Sequence, residues 1–217
     1  YFNNSFNSLI NFELKYDAKK GYETIFAKNS NILNNELKGY GTLNYLSSHD
    51  DGGPFDPERT KSVEAATKLL LAPGTSQIYY GDESDRSLII EGTNGDATLR
   101  SFMNWDDIKN NDSTKKTLSH WQKLGNFRND HPSIGAGVHE MLSEKPYTFQ
   151  RTFSKGDYHD AVVVGLDLNK GYKELNVSSV FKDETALLDA YSGVEVKVKS
   201  GKVKLDTPFE IVLLEVK

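Results

Sequence analysis

Residues 44–56, NYLSSHDDGGPFD, set His49, Asp50 and Asp51 directly after a short apolar run and just ahead of Gly-Gly-Pro. An imidazole and carboxylates gathered where regular structure ends could form a catalytic shelf able to move protons or grip a polar ligand. The same residues also suit a solvated turn, because Asp, Gly and Pro favour turns for backbone reasons alone. A second acidic group, Asp82 and Glu83 in YYGDES, follows another apolar run. That Gly-Asp-Glu-Ser turn reads equally well as a cap for the segment after it.

The elements that must position these groups alternate in type over the first 135 or so residues. SLINFEL (8–14) reads as a strand, AKKGYETIFAKNS (18–30) as a helix and TLNYLS (42–47) as a second strand. DPERTKSVEAATKLLLAPG follows as a helix: Asp56 caps its amino end and Pro57 suits its first turn. Val63, Ala66, Leu69 and Leu70 form its apolar face, and Pro73-Gly74 ends it. SQIYY (76–80) is expected to be a buried strand from its length and β-formers. DSTKKTLSHWQKLGNFRNDHP is a helix with Leu118, Trp121 and Leu124 on one side and Pro132 as its stop. Strands alternating with helices imply a parallel sheet. In such folds reactive groups collect past the carboxyl ends of the strands, where both acidic groups fall.

Beyond residue 136 the pattern changes. YTFQRTF, DAVVVGLDL, YKELNVS, ETALLDAY, VEVKVKS, KVKLD and FEIVLLEV are short strands, separated by turns at Asn169-Lys170-Gly171, Ser192-Gly193 and Ser200-Gly201. Val194, Val196 and Val198 alternate with charged residues, so one face is buried and the other wet. An antiparallel sandwich or small barrel is expected. The boundary between the two regions falls near Gly135 to Gly137, with no long linker and no internal repeat.

Composition bounds the partners. The 217-residue chain carries a formal net charge of -5, and 37% of its residues are hydrophobic and 26% charged. It therefore lacks the basic footprint of a nucleic-acid binder and the polybasic stripe of a membrane-surface helix. No apolar run approaches the roughly 20 residues that span a bilayer. Without cysteine there is no disulfide framework and no thiolate site. The chain opens at Tyr1 rather than Met, which raises the expectation of residues upstream.

The remaining candidates have simpler readings. His120, His131, His139 and His159 fit no metal-ligand spacing and read as surface or interface histidines. Trp121 and Phe127 read as core, while Trp105 could either offer an aromatic face to a ligand or pack near a loop. Asp106-Asp107 and residues 182–184 read as solvated charge. Tyr147, Phe149 and Tyr158 could line a carbohydrate-binding face, or pack on an edge strand. Three sequons, Asn3-Asn4-Ser5, Asn111-Asp112-Ser113 and Asn176-Val177-Ser178, matter only in a glycosylating host.

Several of these stretches together carry a resemblance. TLNYLSSHD resembles the seventh-strand motif of the α-amylase family of glycoside hydrolases, a strand ending in His-Asp. APGTSQIYYGDES is similar to the family's eighth strand, and LRSFMNWDDI (99–108) to the Arg, Met and Trp stretch after it. HWQKLGNFRNDHPSIGAG resembles the last barrel helix and its exit into a terminal sandwich, and FNSLINFEL the sixth strand. The resemblance covers nearly the whole chain, in family order.

It implies an α/β plus all-β protein: residues 1–135 as the last three βα units of a (β/α)8 TIM barrel, and residues 136–217 as an antiparallel β-sandwich. Asp50 matches the family's third catalytic carboxylate, which holds sugar hydroxyls and helps stabilise an oxocarbenium-like transition state. His49 matches the histidine that binds the same hydroxyls, and Glu83 a structural position. The implied ligand is an α-1,4-glucan. The family's nucleophile and general acid, about 5 Å apart in retaining enzymes, sit on the fourth and fifth strands, which would precede Tyr1. Most calcium ligands would lie there too, so calcium belongs to the longer parent and no cofactor or metal to these residues. The isolated chain is expected to be inactive, its barrel completed by the missing amino-terminal half or another chain. The family habit points to a secreted or periplasmic location. Two alternatives stand beside this: a non-catalytic glucan-binding or scaffold module, and a hydrolase in which Asp50 and Glu83 alone form the working pair.

Overall fold

Three short parallel strands form the base on which the His49–Asp50 segment stands. In the computed structural model, which describes Phe2 and residues 5–217, they are β1 (Ser8–Asn11), β2 (Gly41–Asn44) and β3 (Thr75–Ser76), in the order β1-β2-β3. Asn3 and Asn4 of the Asn3-Asn4-Ser5 sequon lie outside the described residues. Between β1 and β2 come α1 (Leu14–Asp17) and α2 (Tyr22–Asn31), the latter followed by a wider helical turn over Ile32–Glu36. Between β2 and β3 comes α3 (Ser62–Leu70), and α4 (Trp105–Asn110) and α5 (Asp112–Asp130) close the region. The chain divides into two compact units, residues 1–126 and 127–217.

The base of the first unit is polar inside. The strand register sets Asn11 beside Asn44 and Asn44 beside Ser76. Asn11 Nδ2 donates to Asn44 Oδ1 at 2.9 Å and to Asn29 Oδ1 at 3.1 Å. Asn44 Nδ2 in turn donates to the Pro73 carbonyl at 2.8 Å, and Asn29 Nδ2 to the Ile25 carbonyl at 2.8 Å. This amide chain ties two strands to α2 and to the turn that leads into β3. Gly74, at φ 111, makes that turn; a Cβ there would sit 2.6 Å from Thr42 Oγ1 and 2.7 Å from Asn44 Nδ2.

Three expectations for this unit need correction. The helix expected from Asp56 begins at Ser62 instead, because Asp56 takes the Thr60 and Lys61 amides at 3.0 and 2.8 Å and holds a turn in which Arg59 lies at φ 55. Val63 thus falls in the first turn and is exposed, while Ala66, Leu69 and Leu70 are buried as the periodicity requires. The strand expected over 76–80 pairs only at Thr75–Ser76 on the sheet edge, leaving Ile78 and Tyr80 exposed and Tyr79 buried. Trp105 opens α4 and is exposed rather than packed. Asn111 takes the Ser113 and Thr114 amides and so caps α5.

The second unit is antiparallel. Pro132 both stops α5 and starts the short α6 (Pro132–Ala136). The strands are β4 (Val138–Glu144), β5 (Tyr147–Lys155), β6 (Tyr158–Leu166), β7 (Gly171–Asn176), β8 (Ala186–Asp189), β9 (Val194–Lys197), β10 (Lys202–Thr207) and β11 (Val212–Val216). They make a six-stranded sheet, β4-β5-β6-β11-β8-β9, and a two-stranded one, β10-β7. Val163, Leu175, Leu187, Val198, Val203, Leu205, Val212 and Leu214 meet in one apolar core drawn from both sheets. Gly171, Gly193 and Gly201 all take left-handed φ at the expected turns. β4 escaped sequence reading because VHEMLSE offers no strict alternation, and it is exposed along much of its length.

Among the described residues no helix is long and apolar enough to cross a membrane.

Candidate functional site

Past the end of β2, Tyr45 to Ser48 run on buried, and the chain then surfaces at His49 and Asp50. Tyr45 and Leu46 fill the core below, and the Phe55 amide returns to the Leu46 carbonyl at 2.9 Å, closing residues 46–55 into a loop. At its crest His49 Nε2 stands 3.6 Å from Asp50 Oδ2, the two side chains being 60% and 57% exposed. Ser48 Oγ donates to Asp50 Oδ1 at 2.9 Å, which leaves Oδ2 open toward solvent and His49. The crest is braced from outside as well: Arg100 Nε donates to the His49 carbonyl at 3.2 Å. The structure therefore brings His49 and Asp50 together on a supported, accessible shelf.

Asp51, one residue on, has a different environment. Its Oδ2 accepts from Lys15 Nζ and from the Tyr45 hydroxyl at 2.6 Å, and its Oδ1 from the Gly53 amide at 3.0 Å. Burial works to raise its pKa, but Lys15, Tyr45 and Gly53 outweigh it and hold the carboxyl below the ordinary range. Lys15 is buried too; desolvation pulls its pKa down, and Asp51 and Tyr16 more than restore it. Sequence reading could name Asp51 as part of the HDD run, but not Lys15, which is 36 residues away.

The second acidic group is not a second shelf. Asp82 lies buried, with Ser47 Oγ donating to both its oxygens at 2.7 and 2.6 Å and Arg59 Nη2 donating at 2.7 Å. Burial pushes its carboxyl above the usual range against the pull of Arg59 and Ser47. Asp82 thus joins the loop after β2 to the loop after β3 rather than facing a ligand. The adjoining Arg86 is fully buried, donating through Nε to the Tyr80 carbonyl at 2.9 Å and lying 3.9 Å from the Tyr80 ring centre. Glu83 has one carboxylate oxygen buried without a hydrogen-bond partner.

Two of the remaining histidines are not surface groups. His120 is buried against Thr67 Oγ1 at 3.0 Å, and burial lowers its pKa to about 4. His131 bridges Asp160 at 2.8 Å and Glu215 at 2.6 Å, and Asp160 also takes the Ser133 amide at 2.8 Å. Tyr147 and Phe149 are buried on β5, an interior strand, so neither the carbohydrate face nor edge-strand packing fits them; Tyr158 is exposed. Trp121 and Phe127 are buried, as expected of core. Among the described residues no group of three or more His, Asp or Glu stands where it could hold a metal ion.

No protein-family model matches the chain. Over 159 residues it is 36% identical to the periplasmic α-amylase of Escherichia coli strain K12, an alignment spanning 70% of this chain and 22% of that protein. Among solved structures, an Anoxybacillus α-amylase matches 97% of the chain and 47% of its own length, with a TM-score of 0.61 and 23% identity. AmyP in complex with maltotriose matches 97% of the chain and 50% of its own length, with a TM-score of 0.67 and 16% identity. At such identities the solved structures speak for the fold alone.

Proposed function

This chain belongs to the α-amylase family of glycoside hydrolases, and we propose that it is the carboxyl-terminal part of a retaining enzyme that cleaves α-1,4-glucosidic bonds in starch-like glucans. The chain spans 22% of its curated relative and about half of the solved structures it matches, so the activity is assigned to the longer protein. The reading is carried by the shelf past β2, where one carboxylate and one imidazole stand adjacent and exposed on a buried, hydrogen-bonded base. In this reading Asp50 grips sugar hydroxyls beside the scissile bond. Those charge-assisted bonds tighten as the ring gains positive charge, which lowers the barrier rather than merely binding substrate. His49 holds the same hydroxyls. Residues 1–135 are then the last three βα units of a barrel, and residues 136–217 its appended β domain. The nucleophile and general acid come from a segment outside the 217 residues. Asp82, buried and paired with Arg59, does not supply the missing carboxylate.

The maltotriose and maltose held by AmyP are the reason to favour a linear α-glucan as ligand. A location outside the cytoplasm agrees with the periplasmic relative.

Reducing-sugar release from soluble starch tests the reading in both the 217-residue chain and the intact parent, each beside its Asp50→Asn variant. The expected result is a silent chain, an active parent and a parent variant reduced by about 100-fold or more. Release by the chain alone that disappears with Asp50→Asn would mean that these residues hold a complete site. Glucan affinity that survives Asp50→Asn, in a parent that hydrolyses nothing, would replace the enzyme reading with a non-catalytic binding module.

A further inference from the structure

We propose that Asp51 is a positioning residue, clamped by Lys15 and Tyr45, that fixes the backbone directly beneath Asp50. The inference rests on the function proposed above and deepens it. Both oxygens of Asp51 are engaged, by donors from α1, from the end of β2 and from its own loop. The Lys15 and Asp51 side chains are only 5% and 17% exposed, whereas Asp50, one peptide link away, is 57% exposed. The next residues are Gly52 and Gly53, both exposed, whose backbones resist displacement least of any residue type. Without an anchor at Asp51 the shelf would border a segment free to wander. With it, the Asp50 backbone is held on the Asp51 side by Lys15 and Tyr45 and on the His49 side by Arg100. A displacement of about 1 Å at such a point can cost on the order of 100-fold in rate, because a ligand-gripping carboxylate works only in register with the reacting bond.

The ionisable groups around the clamp are Lys15 and Tyr16 on α1, Tyr45, and Asp50. Burial and the neighbouring Asp51 push the Tyr45 hydroxyl up, so it stays protonated and donates. Asp51 is held ionised mainly against its own burial, by Lys15 first. Removing the ammonium leaves only Tyr45 and Gly53 to oppose that burial, and the carboxyl then protonates at a higher pH.

The test is glucan hydrolysis by the intact parent across pH. Lys15→Met is expected to lower kcat by about 10- to 100-fold and to move the acid limb of the profile up by about one to two pH units, while Lys15→Arg restores both. A double variant, Lys15→Met with Asp51→Asn, should keep the low kcat but return the acid limb to its original place, since no carboxyl is left to titrate. Tyr45→Phe removes one bond and no charge; it keeps the clamp testable if the charge variants fold poorly, and should lower kcat about fivefold. A Lys15→Met profile that superimposes on wild type, or a Tyr45→Phe enzyme with unchanged kcat, overturns the clamp. A wild-type parent that releases no sugar at any pH overturns the functional reading instead.

Discussion

The two units hold their shapes with different mixtures of apolar burial and polar pins. Residues 127–217 close an apolar core between two sheets, with Val163, Leu187, Val198, Val203, Val212 and Leu214 completely buried. Residues 1–126 bury apolar side chains such as Phe26, Leu46, Leu69 and Leu124, but add an amide chain between β1 and β2 and ion pairs in their loops, and leave Phe6, Ile10, Phe12, Tyr16, Ile78, Tyr80 and Phe102 exposed. An apolar core is tolerant of direction, because hydrophobic burial scales with area and not with angle. Hydrogen-bonded pins fix atoms in place, and the loop that carries His49 and Asp50 is held by several of them.

Substitutions separate the two kinds of support. The largest effect is expected at Phe149→Ala, which should destabilise the second unit by about 3–5 kcal/mol through the cavity it opens, as urea unfolding followed by circular dichroism would show. An equal loss from a polar pin in the first unit would erase the distinction. Next comes Asp50→Asn: about 100-fold or more in glucan hydrolysis by the parent, with unfolding midpoints unchanged, since its side chain is more than half exposed. Asn44→Ala should cost about 1–3 kcal/mol, because it removes one of the two bonds of the Asn11 amide and leaves the Pro73 carbonyl without its Asn44 donor. A loss well under 1 kcal/mol would mean that the amide chain orders the strands without stabilising them.

The His131 bridge sharpens the comparison from the other side, as a polar pin within the apolar unit. Burial alone would lower the His131 pKa, but Asp160 and Glu215 raise it above the ordinary value. Its contribution is therefore complete below about pH 6.5 and lost as pH rises through the folded value. Asp160, which burial would raise, is lowered by His131 and Ser133, so its contribution is complete above about pH 4 and lost as pH falls through its folded value. Urea midpoints of the second unit should decline on both sides of that window, and His131→Gln should flatten the alkaline side at a cost of about 1.5–3 kcal/mol at pH 5.5. The smallest effect is expected at Phe12→Ser, within about 0.5 kcal/mol, because that ring is already exposed.

Legibility in the sequence follows the same division. The alternation Val194-Val196-Val198 and the turn glycines foretold strands because pleat and left-handed φ are local properties. The helix apolar face at Ala66, Leu69 and Leu70 was legible for the same reason. His49 and Asp50 stood out because a strand end and an acidic turn coincide there. What stayed hidden depends on partners distant in sequence: Lys15 on Asp51, Arg59 on Asp82, His131 between β6 and β11. Residue type can announce a charge, but the fold decides what it meets: His120 is buried, and His131 bridges Asp160 and Glu215, 29 and 84 positions away. Tyr80 and Ile78 failed for a complementary reason, since β-forming side chains predict a strand even where the sheet supplies only two residues of pairing.

Gly74 bears on how such a sequence can drift. The room a methyl group would need there is already taken by the side chains of Thr42 and Asn44. Positions 42, 44 and 74 therefore form one heritable unit: a larger residue at 74 is admissible only in company with smaller ones on β2, and the left-handed turn narrows the choice further. Shrinking Asn44 also removes the bond to Pro73 that shapes the same turn. A lineage could leave this arrangement only by several simultaneous changes, so the turn behind the shelf should vary far more slowly than the exposed Gly21, where a side chain would meet nothing and the backbone is not left-handed.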